Sequence, residues 1–260
     1  MTGAKLEALL RRDRAVVLTA LGVIGLLAWI HLIGMAPAAP GVAMGGMETG
    51  PAQWSAADFA TMLAMWAAMM VGMMTPSVAP MLLLYARVAR SAEERGQPFA
   101  ATGWFALGYL LAWSAFAMLA TGAQWLMEQA ALMTPAMAIA DRQIGGALLV
   151  AAGVYQWTPA KNACLGRCRS PLQFIQSQGG FRRERRASLM LGLKHGFYCL
   201  GCCWALMLLL FLGGVMNLLW IAALAAIVLA EKVLPGGQKL ARAVGAALAV
   251  AGGAMLVGAI

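Results

Sequence analysis

Runs of apolar residues about twenty long, separated by short basic segments, recur along the whole chain and leave it few possible folds. A hydrocarbon layer about 30 Å thick is crossed by roughly 20 residues of α-helix. Inside that layer every backbone N–H and C=O must bond within its own segment or within a closed barrel. Stretches of about ten residues with alternating polarity, the mark of a barrel strand, are absent. The chain is therefore expected to be all-α, a polytopic transmembrane helix bundle. Composition agrees, with 62% hydrophobic residues, 11% charged residues and a mean hydropathy of +0.77, outside the range of soluble domains.

The apolar runs cover about 15–34, 59–85, 100–122, 142–158, 188–211, 216–234 and 241–259, which predicts about seven spans. The first run follows Arg11, Arg12 and Arg14 and could be mistaken for a signal peptide. The segment after it, "GMAPAAPGVAMGGMETGP", lacks a polar cleavage region, so the run is read as a retained span. If the spans alternate, every lysine and arginine except Arg142 and Lys194 falls on one side. The positive-inside bias then places the N-terminus inside and the C-terminus outside. The same distribution accounts for the net charge of +9 without nucleic acid as a partner. "FRRERR" at 181–186 is read as a loop that contacts phospholipid.

Two parts are expected: residues 1–58, an anchor helix with an external loop containing Met35, Met44 and Met47, and residues 59–260, a six-helix metal-binding membrane domain. That domain includes a cytoplasmic loop, 159–187, whose "SPLQFIQ" suits a short amphipathic helix lying on the membrane surface.

The fifth span opens "LKHGFYCLGCCWALM", an unusual content for hydrocarbon. His195, Cys199, Cys202 and Cys203 stand at i, i+4, i+7 and i+8, one face of a helix. Thiolate and imidazole are soft donors that suit Cu(I) and also accept Zn(II) or another thiophilic ion. One straight helix cannot wrap four ligands around an ion, so a second wall of donors is expected. Alternatively, the cysteines are small buried hydrophobes that only pack. Lys194, beside His195, either reaches the interface or balances thiolate charge.

In the second span Met62, Met65, Met69, Met70, Met73 and Met74 lie along one helical face, which reads either as flexible core filler or as a thioether wall for Cu(I). Pro76 and Pro80 should bend this helix and free backbone carbonyls. Cys164 and Cys168 in the cytoplasmic loop have CxxxC spacing, which suits a shared soft metal, a docking point for it, or merely two exposed thiols.

Through "MWAAMMVGMMTPSVAP", "YQWTPAKNACLGRCRSP" and "GLKHGFYCLGCCWALM" the chain resembles a bacterial family of predicted metal-binding integral membrane proteins of unknown function, some of whose members are labelled copper chaperones. The resemblance spans about 60–255. It implies as signature positions Met69, Met70, Met73, Met74, Pro76 and Pro80; Tyr155, Gln156, Pro159, Lys161, Cys164, Cys168 and Pro171; and His195, Gly196, Cys199, Cys202, Cys203 and Trp204.

Three functions follow. The first is a protein that handles Cu(I) as chaperone, transfer or transport protein, works with membrane lipid and a metal-donor or metal-acceptor protein, and needs no catalysis. The second is a membrane thiol oxidoreductase using Cys199 and Cys202, whose "CLGC" has the CxxC spacing. The third is a structural assembly factor, with the GxxxG pair Gly192 and Gly196 packing the bundle or a homo-oligomer. No P-loop is present, and no carboxylate is expected deep in a span, because Asp58, Asp141 and Glu231 stand near predicted ends.

Overall fold

The computed structural model describes residues 3–35, 54–93, 102–181 and 184–259. Met44, Met47, Arg182 and Arg183, which carried part of the loop expectations, lie outside the described residues. In chain order the helices are α1 (Gly3–Met35), α2 (Ala56–Glu93), α3 (Thr102–Gln129), α4 (Arg142–Tyr155), α5 (Pro159–Arg169), α6 (Pro171–Ser177), α7 (Arg185–Leu208), α8 (Leu210–Gly213), α9 (Leu218–Val233) and α10 (Gly237–Val257). Among the described residues no strand forms, only one isolated antiparallel bridge from Met133 to Ile139.

Among the described residues five stretches are long and apolar enough to cross a membrane: Ala15–Met35, Ala56–Ala92, Thr102–Gln129, Arg185–Gly213 and Gly237–Val257. The runs expected as the other two spans form the shorter helices α4 and α9, with only 14 and 16 residues, about 21 and 24 Å at 1.5 Å per residue. Capping sets their starts. The Asp141 side chain accepts the Ile144 N–H, and that of Asn217 accepts the Trp220 N–H, which satisfies amides that the first helical turn leaves open.

Close backbone approach holds the bundle together. Along α3 and α7, a Cβ on Gly108 would stand 2.8 Å from the Leu193 nitrogen, and one on Gly192 would stand 2.8 Å from the Phe105 carbonyl carbon. Gly196 faces Ala112 and Tyr109 of the same helix. The GxxxG pair therefore serves packing inside the chain. A second glycine contact joins α4 to α10: Gly153 meets Gly245, and Gly146 meets Gly252, with added Cβ atoms 2.6–3.0 Å from the facing carbonyl oxygens. Small residues let helices approach in lipid, where apolar burial supplies little drive for association.

α1 lies on α2 through Ala28 and Leu32, while Val16, Leu26, Leu27 and Ile30 are exposed, as suits a lipid-facing helix. α2 stays helical through Pro76 and Pro80. Hydroxyls bond its carbonyls beside the prolines: Thr75 Oγ1 donates to Val71 O at 2.6 Å, Ser77 Oγ to Met74 O at 2.9 Å, and the Tyr109 hydroxyl to Met74 O at 3.3 Å.

The loop expected at 159–187 folds into α5 and α6, and it does not simply lie on a lipid surface. α6 drives Phe174 and Ile175 into the core with no exposure at all. α5 starts at a Thr158 cap followed by Pro159 and is pinned to the end of α9. Lys161 Nζ lies 2.6 Å from the Glu231 carboxylate and also bonds Gln156 Oε1, while Arg169 donates to Glu231 O at 2.6 Å and to Pro235 O at 3.2 Å. Glu231 stands in the last turn of α9, near a span end as expected, and is buried there.

Candidate metal centre

Helix α7 buries His195, Cys199, Cys202 and Cys203 together, each at most 3% exposed. The periodicity that put them on one face explains why, since that face turns inward between α3, α5 and α9. The three cysteines are free thiols. The Cys202 and Cys203 thiols both donate back to the Cys199 carbonyl, at 3.0 Å each. The fourth sulfur comes from α5, where Cys168 Sγ lies 4.0 Å from Cys202 Sγ and is also in reach of Cys199. Cys164, the other half of the CxxxC pair, rests against the backbone of Gly201, whose added Cβ would stand 2.8 Å from its sulfur. Beside it the Tyr155 hydroxyl donates to Gly201 O at 2.5 Å. Both loop thiols are pushed up from their ordinary values: Cys164 by burial first and by neighbouring Cys202 second, Cys168 by the Cys199 and Cys202 sulfurs first and by burial after them.

Sequence reasoning missed the cation of this site. Of the two expectations for Lys194, the structure agrees with the one that turns it away from the thiols: it is exposed and donates to Gln178 at 3.0 Å. Lys232 of α9, expected only as one of the basic residues on the inner side, is buried and brings its Nζ to 2.9 Å from Cys199 Sγ, 3.2 Å from Ser77 Oγ and 4.0 Å from Met74 Sδ. None of these three partners is a carboxylate. The Tyr109 hydroxyl completes the surroundings of Cys199, 3.1 Å from its sulfur. The stripe of α2 and the thiols of α7 therefore do meet, at Met74 and Cys199, across an ammonium and a phenol. A lysine two residues before the end of a short apolar run was the available signal, and it reads equally well as a loop anchor.

His195 sits apart from this polar junction, in a cage of Phe105, Tyr109 and Phe174 with ring centroids at 5.8, 6.0 and 5.0 Å. Its Nδ1 is buried without a hydrogen-bond partner, an unsatisfied group of a kind that folded proteins seldom keep.

The methionine stripe of α2 is buried over most of its length. Met65, Met69, Met70, Met73 and Met74 are at most 2% exposed. Met62, half-buried at the far end, lies 3.8 Å from the side-chain nitrogen of Gln124.

Among the described residues no group of three or more His, Cys, Asp or Glu is arranged as a closed metal site. The donors nevertheless fit a soft monovalent ion. Three thiols of α7, a fourth from α5 and a thioether lie around one junction where hard oxygen donors are scarce, and an imidazole with an orphaned nitrogen stands one turn before Cys199 on the same helix. Their sulfurs are held by hydrogen bonds, two of them through S–H groups that an ion would have to replace.

The chain is thus a helical membrane protein with thiols clustered inside one long apolar helix and a further thiol brought to them on the short helix α5. The family model described as copper chaperone, PpoB2, matches residues 63–255, and the chain belongs to that family. Comparison with curated proteins and comparison with solved structures each find no match.

Proposed function

We propose that the protein carries Cu(I) as cargo, accepting it at Cys168 and holding it among Cys199, Cys202 and Cys203, with Met74 and His195 as further donors. The observation that carries this reading is the 4.0 Å approach of the α5 sulfur of Cys168 to the buried sulfur of Cys202. It links a thiol outside the spans to thiols inside one. Exchange between two- and three-coordinate sulfur sites moves an ion stepwise without releasing it into lipid, and no catalytic step is needed. Loading replaces thiol protons, so retention falls as pH falls. Lys232 offsets the negative charge that thiolates bring.

In this reading the chain spans a bacterial inner membrane with its N-terminus and the α5–α6 segment on the cytoplasmic side, and α4 and α9 complete about seven crossings as short helices. A metal donor or acceptor protein meets α5. Met65, Met69, Met70 and Met73 extend the donors along α2, and Zn(II) competes poorly with Cu(I) where thioethers contribute.

The test is elemental analysis of purified protein loaded with Cu(I) under reducing conditions, beside a variant with Cys168, Cys199, Cys202 and Cys203 all changed to serine. The wild type is expected to retain thiol-bound copper that the variant lacks. Equal copper in both, or thiol-oxidising activity in metal-free wild type, would overturn the reading. Labelling of Cys164 from each side of sealed vesicles checks the orientation.

A further inference from the structure

We propose that the protein has a second site for a soft monovalent cation, formed by the thioethers of Met62 and Met137 with the carboxylate of Glu128, at the end of the bundle opposite the thiols. It borrows from the proposed function only the softness and charge of the cargo.

The distance between the two sites follows from helix geometry. Tyr109 touches Cys199, and Gln124 stands further along the same helix by about 22 Å of rise. On α2, Met62 and Met74 are separated by about 18 Å in the same way.

The Gln124 side chain is completely buried and is held at its oxygen by the Trp66 indole N–H at 2.7 Å. That bond aims its NH2 group at three acceptors: Glu128 Oε1 at 2.9 Å, Met137 Sδ at 3.6 Å and Met62 Sδ at 3.8 Å. An amide nitrogen has two protons. The carboxylate takes one, and two thioethers, weak hydrogen-bond acceptors, share the other. Two soft lone pairs and a negative charge thus converge on a point that a neutral amide satisfies poorly, while a Cu(I)-like ion matches both the softness and the charge. The second carboxylate oxygen of Glu128 is already fixed by the Trp54 indole at 2.8 Å.

Met137 lies in the connection between α3 and α4, and its backbone is bonded on both sides. Its N–H donates to Thr134 O at 2.9 Å, and its carbonyl accepts from the Val215 N–H at 3.2 Å. The residue takes a left-handed conformation, φ 54°, which non-glycine residues seldom adopt. The connection thereby seats this sulfur next to Gln124 rather than leaving it on a free loop.

The test uses full-length protein in lipid nanodiscs, in chloride-free buffer, titrated with Ag(I) as a redox-inert soft cation. In the variant lacking Cys168, Cys199, Cys202 and Cys203, one equivalent should still bind and quench tryptophan fluorescence. Trp66→Phe should remove a distinct part of that quenching. Adding M62L and M137L should weaken the binding at least tenfold, and Glu128→Gln, which keeps the shape and removes the charge, should weaken it about tenfold. In the cysteine-intact protein, M62L and M137L should leave thiol-bound Ag(I) in place, which also shows that the variant is folded. Unchanged affinity in both Glu128→Gln and the double methionine variant overturns the second site. Loss of all Ag(I) on removing the cysteines overturns it too, while leaving the thiol site standing. Equal stoichiometry with and without the cysteines overturns the thiol site alone.

Discussion

At the two ends of the methionine stripe of α2 sulfur meets an N–H donor, but the donors differ in charge. At one end the ammonium of Lys232 faces the Cys199 thiol and Met74. At the other the neutral amide of Gln124 faces Met62 and Met137, with Glu128 supplying charge. A thiol can become an anion and then needs a full cation in a medium that solvates it poorly, whereas a thioether is always neutral and needs only a dipole. Each end is built for the charge its sulfur can carry. The thiol end is also closed by a separate element, α5, pinned through Lys161 and Glu231, whereas the thioether end is closed by the connection that carries Met137.

The largest effect expected is on that closure. Lys161→Met leaves the buried Glu231 carboxylate without its cation and should cost about 3–5 kcal/mol, read as a lowered unfolding midpoint in detergent. Cys168 should alkylate faster in this variant, while tryptophan emission from the Trp54 and Trp66 end stays as in wild type. A simultaneous change at both ends would mean that they are not independent.

Next comes Gln124→Leu, which strands the Trp66 indole and one oxygen of Glu128 and should cost about 1–3 kcal/mol, with copper at the thiols unaffected. Lys232→Met should instead leave Ag(I) at the thioether end intact and weaken Cu(I) at the thiols by roughly 10–100-fold, the range for groups that orient and balance a ligand. Arg in place of Lys should recover part of it. If both changes weaken both ends alike, the charge-matching idea fails.

A smaller effect concerns Cys164. Its thiol is held above the usual range, chiefly by burial, so at neutral pH it stays protonated more fully than an exposed cysteine. Its alkylation by a maleimide should be slower than that of a model thiol near pH 8, and the gap should narrow only at pH above the ordinary thiol range. A Cys164 rate equal to the model thiol would contradict the half-buried position against Gly201.

Much of this molecule is legible along the chain because the governing physics is local. Backbone groups in hydrocarbon must bond within their own segment, so long apolar runs had to be helices. A period of 3.6 residues put His195, Cys199, Cys202 and Cys203 on one face and the methionines of α2 on another. Length was less legible. The run at 142–158 and the run at 216–234 are apolar enough to read as spans, but the Asp141 and Asn217 caps and the turns after Tyr155 and Val233 stop them at 14 and 16 residues.

What the sequence by itself determined, then, was the class of fold and which donors share a helix face, because both depend on neighbours within a few residues. Only the tertiary structure decided that Lys232 rather than Lys194 meets the thiols, that Cys168 joins them while Cys164 packs on Gly201, and that Met137 arrives beside Met62. Those pairings depend on how closely helices approach and at what rotation. Here backbone-to-backbone glycine contacts between α3 and α7 and the Lys161–Glu231 pair set that geometry, and a helical period carries no information about what stands opposite.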